Sequence, residues 1–179
     1  MKKLTDLLGE LEYECIQGTM DAVVEAVVYD SRKVSENCLF ICIEGANFDG
    51  HDYAAQVAEK ARVLVVSKDV KGVEKSDVTI IKVKNTRYAM AFISAAYFGH
   101  PAEKLKVIGV TGTKGKTTTA YLVKSILENA GYKVGLVGTI EVIIGEKHIS
   151  AVNTTPESYV LQETFRKMAD AGMDSVVME

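Results

Sequence analysis

The chain has 179 residues, of which 47% are hydrophobic and 25% are charged, and its formal net charge is −3. That apolar content can bury one large core or two modest ones, which excludes disorder and predicts a folded globular protein. No run of Lys or Arg forms a basic stripe, so nucleic acid is not expected as a partner. The acidic N-terminus does not fit a signal peptide, and no apolar stretch is long enough for a membrane span. We therefore expect a soluble, cytoplasmic protein that does not bind membranes.

The first hundred residues alternate between short β-branched runs and helical patterns, which is typical of an α/β domain. Helices are predicted at 52–60 and 85–98, and Asn85 is the predicted N-cap of the second one. The segment 99–104, which contains Gly99 and Pro101, is the predicted domain boundary. Buried strands are predicted at 26–29, 38–43, 62–67 and 78–83.

The second half repeats the α/β pattern, with a right-handed strand–helix–strand crossover expected between its first two strands. Few strands follow residue 105 and the chain stops directly after an apolar run, so we expect this second domain to be incomplete. The predicted domains are 1–100 and 101–179. The predicted elements of the second are a strand at 106–111, a helix at 116–130 ending at Gly131, a strand at 133–138, a hairpin around Gly145, a helix at 157–171 and a strand at 174–178.

The cysteine and histidine residues give no sign of a disulfide framework or a metal site. The three cysteines lack a CxxC spacing, and all three are predicted to be buried reduced thiols. The three histidines fall in predicted loops without ligand spacing, so we expect them to be ordinary polar residues. These residues are Cys15, Cys38, Cys42, His51, His100 and His148.

A glycine-rich segment between the predicted strand 106–111 and the following helix is the strongest chemical signal. Glycines let the backbone curl so that successive N–H groups point at phosphate oxygens, and the helix N-terminus adds its positive dipole end. Lys116 adds a full positive charge and is the predicted catalytic residue, and the Thr117 hydroxyl is placed to bind Mg²⁺. The predicted ATP-binding residues are Gly112, Thr113, Lys114, Gly115, Lys116, Thr117 and Thr118.

This segment is a variant of the general pattern GxxxxGK[ST], because Val110 occupies the first glycine position. A turn that merely caps a helix would not require the Gly-Lys-Thr-Thr ending. A GTPase is not favoured, because no Asn in the chain is followed by Lys. A small-molecule kinase usually has its phosphate loop near the N-terminus, whereas a separate domain comes first here. Another class of nucleotide-dependent enzyme is therefore expected.

Three further segments have both a functional and a purely structural interpretation. Residues 30–32 (Asp-Ser-Arg) could contact an anionic or uracil-bearing ligand, or could form an Asx-type turn with a solvated arginine. The segment 45–51 could cover the same pocket or be a plain glycine-bounded loop. At 153–157 (Asn-Thr-Thr-Pro-Glu), Thr155 is a predicted N-cap, and the same helix start could also bind an anion.

Four segments together resemble the Mur ligase family. They are TGTKGKTTT at 111–119, Asn-Thr-Thr-Pro-Glu at 153–157, Tyr-Asp-Ser-Arg at 29–32 and the segment 44–51. Within the family they are most similar to the enzymes that add a diamino acid, meso-diaminopimelate or L-lysine, to UDP-N-acetylmuramoyl-L-alanyl-D-glutamate. The resemblance covers the chain from about residue 20 to its end. It implies an ATP-dependent amide-bond ligase of cytoplasmic peptidoglycan precursor synthesis that works through an acyl phosphate, with ATP and Mg²⁺ required. It also implies a monomer.

The resemblance assigns roles to individual residues. The UDP-sugar substrate is expected at the first domain, and Glu179, at the end of an apolar strand, is expected to bind Mg²⁺ together with Thr117. The family's carboxylated lysine and its amino-acid-selecting residues are expected beyond residue 179, so the chain alone should be inactive. The residues expected to bind substrate are Ser31, Asn47, Asn153, Thr154 and Thr155.

Two other functions stay open on the sequence. A sister ligase could act on another muramoyl precursor, on folates or on cyanophycin, and the Asp-Ser-Arg domain combined with the Asn-Thr-Thr-Pro-Glu motif argues against it. A non-catalytic nucleotide-sugar binding module could retain a relic loop, and the intact Gly115, Lys116 and Thr117 argue against that decay.

Overall fold

The computed structural model describes residues 1–9, 11–45, 48–74, 77–151 and 153–179. The chain divides into two units, Met1–Tyr97 and Phe98–Glu179. Each unit combines a five-stranded sheet with helices, and parallel strands form the greater part of both sheets. The predicted α/β fold class is confirmed.

The first unit is built on four parallel strands, each following the predicted apolar run closely. They are β4 (Ala26–Val28), β5 (Cys38–Ile41), β6 (Val63–Val66) and β7 (Thr79–Val83). Every residue of β5 and β6 is buried, as expected for central parallel strands that are covered on both faces. Three strands were not predicted, namely β1 (Lys2–Lys3), β2 (Tyr13–Gln17) and β3 (Val23–Val24); β1 pairs with β3, and β2 lies antiparallel to β7 at the sheet edge.

The described part of the first unit contains three α-helices: α1 (Leu4–Leu8), α2 (Ala54–Val57) and α3 (Thr86–Phe98). Asn85 caps α3 as predicted, because its Oδ1 accepts a hydrogen bond from the Tyr88 N–H at 2.9 Å. The predicted helix 52–60 is too long. A 3-10 turn over Gly50–Tyr53 precedes α2, and the Lys60 N–H bonds back to the Val57 carbonyl, so the chain turns towards β6.

The prediction for the cysteines is correct at two positions and wrong at the third. Cys38 and Cys42 are buried free thiols, and burial, with a smaller contribution from Asp49, raises the pKa of Cys42 to about 12. Cys15 is an exposed free thiol instead. It lies on β2, whose position at the edge of the sheet leaves most of its residues exposed.

The second unit contains the strands β8 (Lys106–Gly109), β9 (Val134–Val137), β10 (Glu141–Ile144), β11 (Lys147–Ser150) and β12 (Ser175–Met178). Their order in the sheet is β11-β10-β9-β12-β8. Strand β12 lies between β8 and β9 and is parallel to both, so β8 and β9 are parallel but not adjacent. The predicted hairpin at Gly145 is confirmed.

Helices α4 (Lys116–Asn129) and α5 (Ser158–Asp170) contribute to separate apolar clusters of this unit. The predicted N-cap of α5 is wrong: Glu157 occupies that position, without a side-chain cap, and the helix begins at Ser158. The Thr155 hydroxyl donates instead to the Glu179 carbonyl oxygen at 3.3 Å, so it lies against the end of β12 and not against the first turn of α5. In the described ranges, no helix combines the length and hydropathy that crossing a membrane requires.

Replacing Asn85 with Ala should lower the free energy of unfolding by about 1 kcal/mol, because the first turn of α3 loses its side-chain acceptor. Urea denaturation followed by circular dichroism measures the change. Asn129→Ala is the matched control, because it removes an exposed amide at the C-terminal end of α4. It should change the free energy of unfolding much less. Equal stability of Asn85→Ala and the parent chain would contradict the capping role.

Candidate functional site

The loop that precedes α4 carries the predicted phosphate-binding residues. Gly115 has a φ of 78°, and α4 begins at the next residue, Lys116. A side chain at Gly115 would be strained at this angle, so glycine lets the loop enter the helix directly. Within the described ranges no side chain caps this helix, so the first N–H groups of α4 have no side-chain acceptor and could bind an anion.

The side chains of this loop are accessible. Lys116 Nζ donates to the Gly112 carbonyl oxygen at 2.8 Å, so the ammonium group lies against the loop. Residues 111–115 are exposed. Thr118 in the first helical turn is also exposed, whereas Lys116 and Thr117 are half-buried. Five predicted nucleotide-binding residues are therefore exposed: Gly112, Thr113, Lys114, Gly115 and Thr118.

Glu179 lies beside this loop at the carboxyl end of β12, and it is only 8% exposed. The Thr117 hydroxyl donates to Glu179 Oε2 at 2.9 Å. A Cβ at Gly138 would come within 2.7 Å of Glu179 Oε1, so glycine there leaves room for the carboxylate. The structure therefore brings together the two residues that the sequence predicts as metal ligands.

Thr139 is a site residue that the sequence predictions missed. Its N–H donates to Glu179 Oε1 at 3.1 Å, and its Oγ1 lies 3.1 Å from Glu179 Oε2 and 3.1 Å from Thr154 Oγ1. An ionised carboxylate can only accept, and Thr139 has one hydroxyl hydrogen. Thr154 therefore donates to Thr139 when Thr139 donates to Glu179. A polar residue directly after the apolar run 133–138 is the signal that could have identified it.

Glu179 stays ionised in this environment. Burial raises the pKa of its carboxyl, but the hydrogen bonds from Thr139 and Thr117 and the nearby charge of Lys116 outweigh burial, so the pKa lies below its usual value. Thr155 completes the cluster, because its hydroxyl donates to the Glu179 carbonyl oxygen at 3.3 Å. Asn153 is exposed.

A second polar cluster in this unit surrounds Glu141 on β10. The Tyr121 hydroxyl donates to Glu141 Oε1 at 2.6 Å, and His148 Nδ1 lies 2.7 Å from Glu141 Oε2. The hydrogen bond to Glu141, together with burial, raises the pKa of Tyr121 to about 12. His148 therefore contacts the Glu141 carboxylate from strand β11 and is not the loop residue that the sequence predicted.

The first unit contains a cavity of about 500 Å³ near the carboxyl end of its parallel strands. Ser31, predicted to bind substrate, is half-buried in its wall. Asn47, the other predicted contact in this unit, lies outside the described residues. The wall combines aromatic, aliphatic, charged and small residues: Tyr29, Asp30, Ser31, Arg32, Phe40, Ile43, Gly45, Phe48, Gly50 and Tyr53.

Asp30 and Arg32 form the Asx-type turn that the sequence suggested as one possibility. Asp30 Oδ1 accepts from the Arg32 N–H at 3.1 Å, and the guanidinium binds both carboxylate oxygens at 2.9 and 2.8 Å. Hydrogen bonds from the Arg32 side chain and backbone lower the pKa of Asp30 to about 2. The Arg32 side chain is 87% exposed, so this pair closes the turn at the cavity rim.

The two units match two profiles of one family. The profile described as Mur ligase family, catalytic domain, matches residues 23–98, and the one described as Mur ligase middle domain matches residues 110–179. The chain belongs to the Mur ligase family. The resemblance seen in the sequence is thus confirmed.

Relatives in the Mur ligase family are much longer than this chain. The UDP-N-acetylmuramoyl-L-alanyl-D-glutamate--2,6-diaminopimelate ligase of Clostridium perfringens is 49% identical over 177 residues, which cover 98% of this chain and 36% of that protein. The ligase of the same name from Clostridium tetani is 46% identical over 179 residues, with 37% of that protein covered. The chain therefore spans somewhat more than a third of the length of these relatives.

Solved structures of Mur ligases share the fold. A structure of a UDP-N-acetylmuramoyl-L-alanyl-D-glutamate--2,6-diaminopimelate ligase superimposes with a TM-score of 0.75 at 18% identity, covering 98% of this chain and 35% of that one. A MurF ligase from Thermotoga maritima, solved in complex with ADP, gives a TM-score of 0.51 at 21% identity over 88% of this chain and 32% of that one. At these low sequence identities, the structural similarity supports a shared Mur ligase fold.

Replacing Arg32 with Ala should move the pKa of Asp30 upward from about 2 towards its ordinary 3.8, though not fully, because the backbone N–H of residue 32 still donates. The lowered pKa stabilises the fold above pH 3.8, and that stabilisation is lost as the pH falls towards 2. A carboxyl-carbon NMR titration measures the shift. Lys33→Ala is the control and should leave the pKa nearly unchanged; a similar shift in both variants would refute the assignment.

Proposed function

We propose that this chain contributes the UDP-sugar-binding and ATP-binding parts of an ATP-dependent ligase that adds 2,6-diaminopimelate to UDP-N-acetylmuramoyl-L-alanyl-D-glutamate. The observation that carries the proposal is the contact of 2.9 Å between Thr117 and the buried carboxylate of Glu179, directly beside the glycine loop. The relatives from Clostridium bear the name of this ligase at 46 to 49% identity. We further propose that the protein acts in the cytoplasm as a monomer.

The ATP phosphates bind in this proposal at the loop 111–115 and at the start of α4. Residues 112–118 supply backbone N–H groups and the Lys116 ammonium, which together favour a polyanion at the positive end of the helix dipole. The left-handed Gly115 supports this role, because it opens the loop directly onto the helix N-terminus. The MurF ligase from Thermotoga maritima was solved with ADP bound, which agrees with a nucleotide at this fold.

The residues next to the loop fit a magnesium ion. Mg²⁺ prefers hard oxygen ligands and is usually held by one or two carboxylates together with substrate phosphates and water. The Glu179 carboxylate and the Thr117 hydroxyl supply two such oxygens, and the lowered pKa of Glu179 keeps its carboxylate charged. When bound, the ion would neutralise charge on the phosphates.

The chemistry assigned to this chain is positioning and charge stabilisation. In the proposed reaction a D-glutamyl carboxylate oxygen attacks the γ-phosphorus of ATP and ADP leaves, giving an acyl phosphate. The amine of diaminopimelate then attacks the acyl carbon, phosphate leaves, and the nitrogen loses a proton. Lys116 holds the transferred phosphoryl group and offsets its negative charge as two anions approach.

The remaining predicted residues take substrate roles in this proposal. The UDP portion occupies the cavity of the first unit, where Ser31 offers a hydroxyl and Asn47 is a further proposed contact. Aromatic side chains in the wall, among them Phe40 and Phe48, suit a planar uracil ring. Asn153, Thr154 and Thr155 are proposed to bind the muramoyl portion, which the proximity of both threonine hydroxyls to the Thr139 and Glu179 cluster supports.

A sister ligase for another acceptor would use the same ATP loop, so the acceptor has to be tested directly. Full-length protein supplied with ATP, diaminopimelate and UDP-N-acetylmuramoyl-L-alanyl-D-glutamate should release phosphate and form the tripeptide product. Phosphate release with a folate or another muramoyl precursor, and none with this acceptor, would favour the sister ligase. Binding of the UDP-sugar without any phosphate release would favour a non-catalytic module.

In the full-length protein, Lys116→Ala should reduce turnover by about 10³-fold or more, because the phosphoryl group loses its paired charge. Coupled phosphate release measures turnover. Lys147→Ala removes an equal charge from an exposed position on β11 and should leave turnover within about twofold of the parent. Near-normal turnover of Lys116→Ala would contradict the proposed site.

Thr139→Val should weaken the Mg²⁺-dependent binding of a non-hydrolysable ATP analogue by about tenfold, because Glu179 loses a donor that orients it. Titration calorimetry with and without Mg²⁺ separates this effect from general loss of binding. Thr139→Ser keeps the hydroxyl and should bind like the parent. If Val and Ser variants bind equally well with Mg²⁺, Thr139 does not orient the carboxylate.

A further inference from the structure

His51 is a buried ionisable side chain that the proposed reaction does not use. The sequence predicted an ordinary polar residue, but His51 is only 7% exposed. Both ring nitrogens have partners: Nδ1 lies 2.6 Å from Asp49 Oδ1, and Nε2 accepts from the Ser67 N–H at 3.0 Å. A backbone N–H can only donate, so Nε2 carries no proton and Nδ1–H donates to Asp49.

Asp49 extends this network to a second residue of the scaffold. It also accepts from Lys68 Nζ and from the His51 N–H, the latter at 2.9 Å. Burial raises the pKa of Asp49, but these hydrogen bonds outweigh burial and hold the pKa well below its usual range. The carboxylate is therefore charged and bound from three directions.

The network ties the cavity wall to the central sheet. Residues 43–45 and 48–53, named here the cavity segment, contribute five of the residues that line the cavity of the first unit. Ser67 and Lys68 directly follow the carboxyl end of the buried strand β6. Through Asp49 and His51, the cavity segment is thus bound to the rigid part of the sheet.

Other contacts shape the cavity segment from within. The Gly45 N–H donates to the Phe48 carbonyl at 2.8 Å, and the Gly50 N–H donates to the Ile43 carbonyl at 2.9 Å. These bonds fold the cavity segment on itself. They do not fix its orientation relative to β6, whereas the bonds from Asp49 and His51 to residues 67 and 68 do.

We propose that Asp49 and His51 are positioning residues for the UDP-sugar, which hold the cavity segment in the orientation that closes one wall of the cavity. This inference rests on the proposed function, because it takes the cavity as the UDP site. Neither residue touches the sugar in this account. Their effect is to remove the ordering cost that binding would otherwise include.

Two substitutions of His51 separate its two hydrogen bonds. The amide of Asn can reach the Nδ1 position, so His51→Asn keeps a donor for Asp49 and loses the acceptor for the Ser67 N–H. The longer Gln reaches the Nε2 position, so His51→Gln keeps that acceptor and loses the donor to Asp49. Ser67→Ala is the matched control, because it removes the hydroxyl 3.4 Å from His51 and leaves the backbone N–H in place.

Steady-state kinetics of the full-length protein tests the proposal. Each His51 variant should raise the KM for UDP-N-acetylmuramoyl-L-alanyl-D-glutamate about fivefold, the effect of one lost hydrogen bond. The KM for ATP and kcat should change less than about twofold, and Ser67→Ala should match the parent. Amide hydrogen exchange on the chain supplies a second readout: the Ser67 amide should exchange faster in His51→Asn than in His51→Gln.

The outcomes distinguish this inference from the function on which it rests. An unchanged KM for the UDP-sugar in both folded His51 variants, with the parent active, overturns the positioning role and leaves the function standing. A parent protein without activity towards this acceptor overturns both. A kcat loss equal to the KM rise, or equal exchange of the Ser67 amide in both variants, also overturns the positioning role.

Discussion

The second unit depends on keeping a carboxylate charged where little water reaches it. Glu179 is 8% exposed, and a buried charge is costly unless hydrogen bonds replace its hydration. The donors are the Thr117 hydroxyl at the start of α4 and the N–H and hydroxyl of Thr139 after β9. One carboxylate therefore fixes the relative positions of the phosphate loop, β9 and β12. The same arrangement supports the proposed magnesium–nucleotide site.

The sheet makes that cluster possible. Met178 on β12 pairs with Gly109 on β8 and with Val137 on β9, so the carboxyl ends of three parallel strands meet at one edge. The first unit also has polar groups at a strand end, because Ser67 and Lys68, which follow β6, bind His51 and Asp49 at the cavity wall. In both units, polar groups at strand ends orient a neighbouring loop, and the apolar strands provide the rigid base.

The sequence predicted the parts that local patterns determine. Central strands such as β5 and β6 are continuous apolar runs because both of their faces are buried, and the Asn85 cap follows from its own helix. Edge strand β2 was missed because it is mostly exposed and lacks that pattern. Among site residues, Lys116 and Thr117 belong to one local motif. Thr139 lies 40 residues from Glu179, and such contacts depend on strand order, which local patterns do not specify.

The most direct test of the account is to locate the divalent ion in solution. Mn²⁺ can replace Mg²⁺, and its unpaired electrons broaden the NMR signals of nearby nuclei. In the presence of a non-hydrolysable ATP analogue, trace Mn²⁺ should broaden the signals of Thr117, Thr139 and Glu179 before any others, and much less so without nucleotide. Broadening centred on Asp30 or Asp49 instead, or broadening at Glu179 that does not depend on nucleotide, would contradict the central claim.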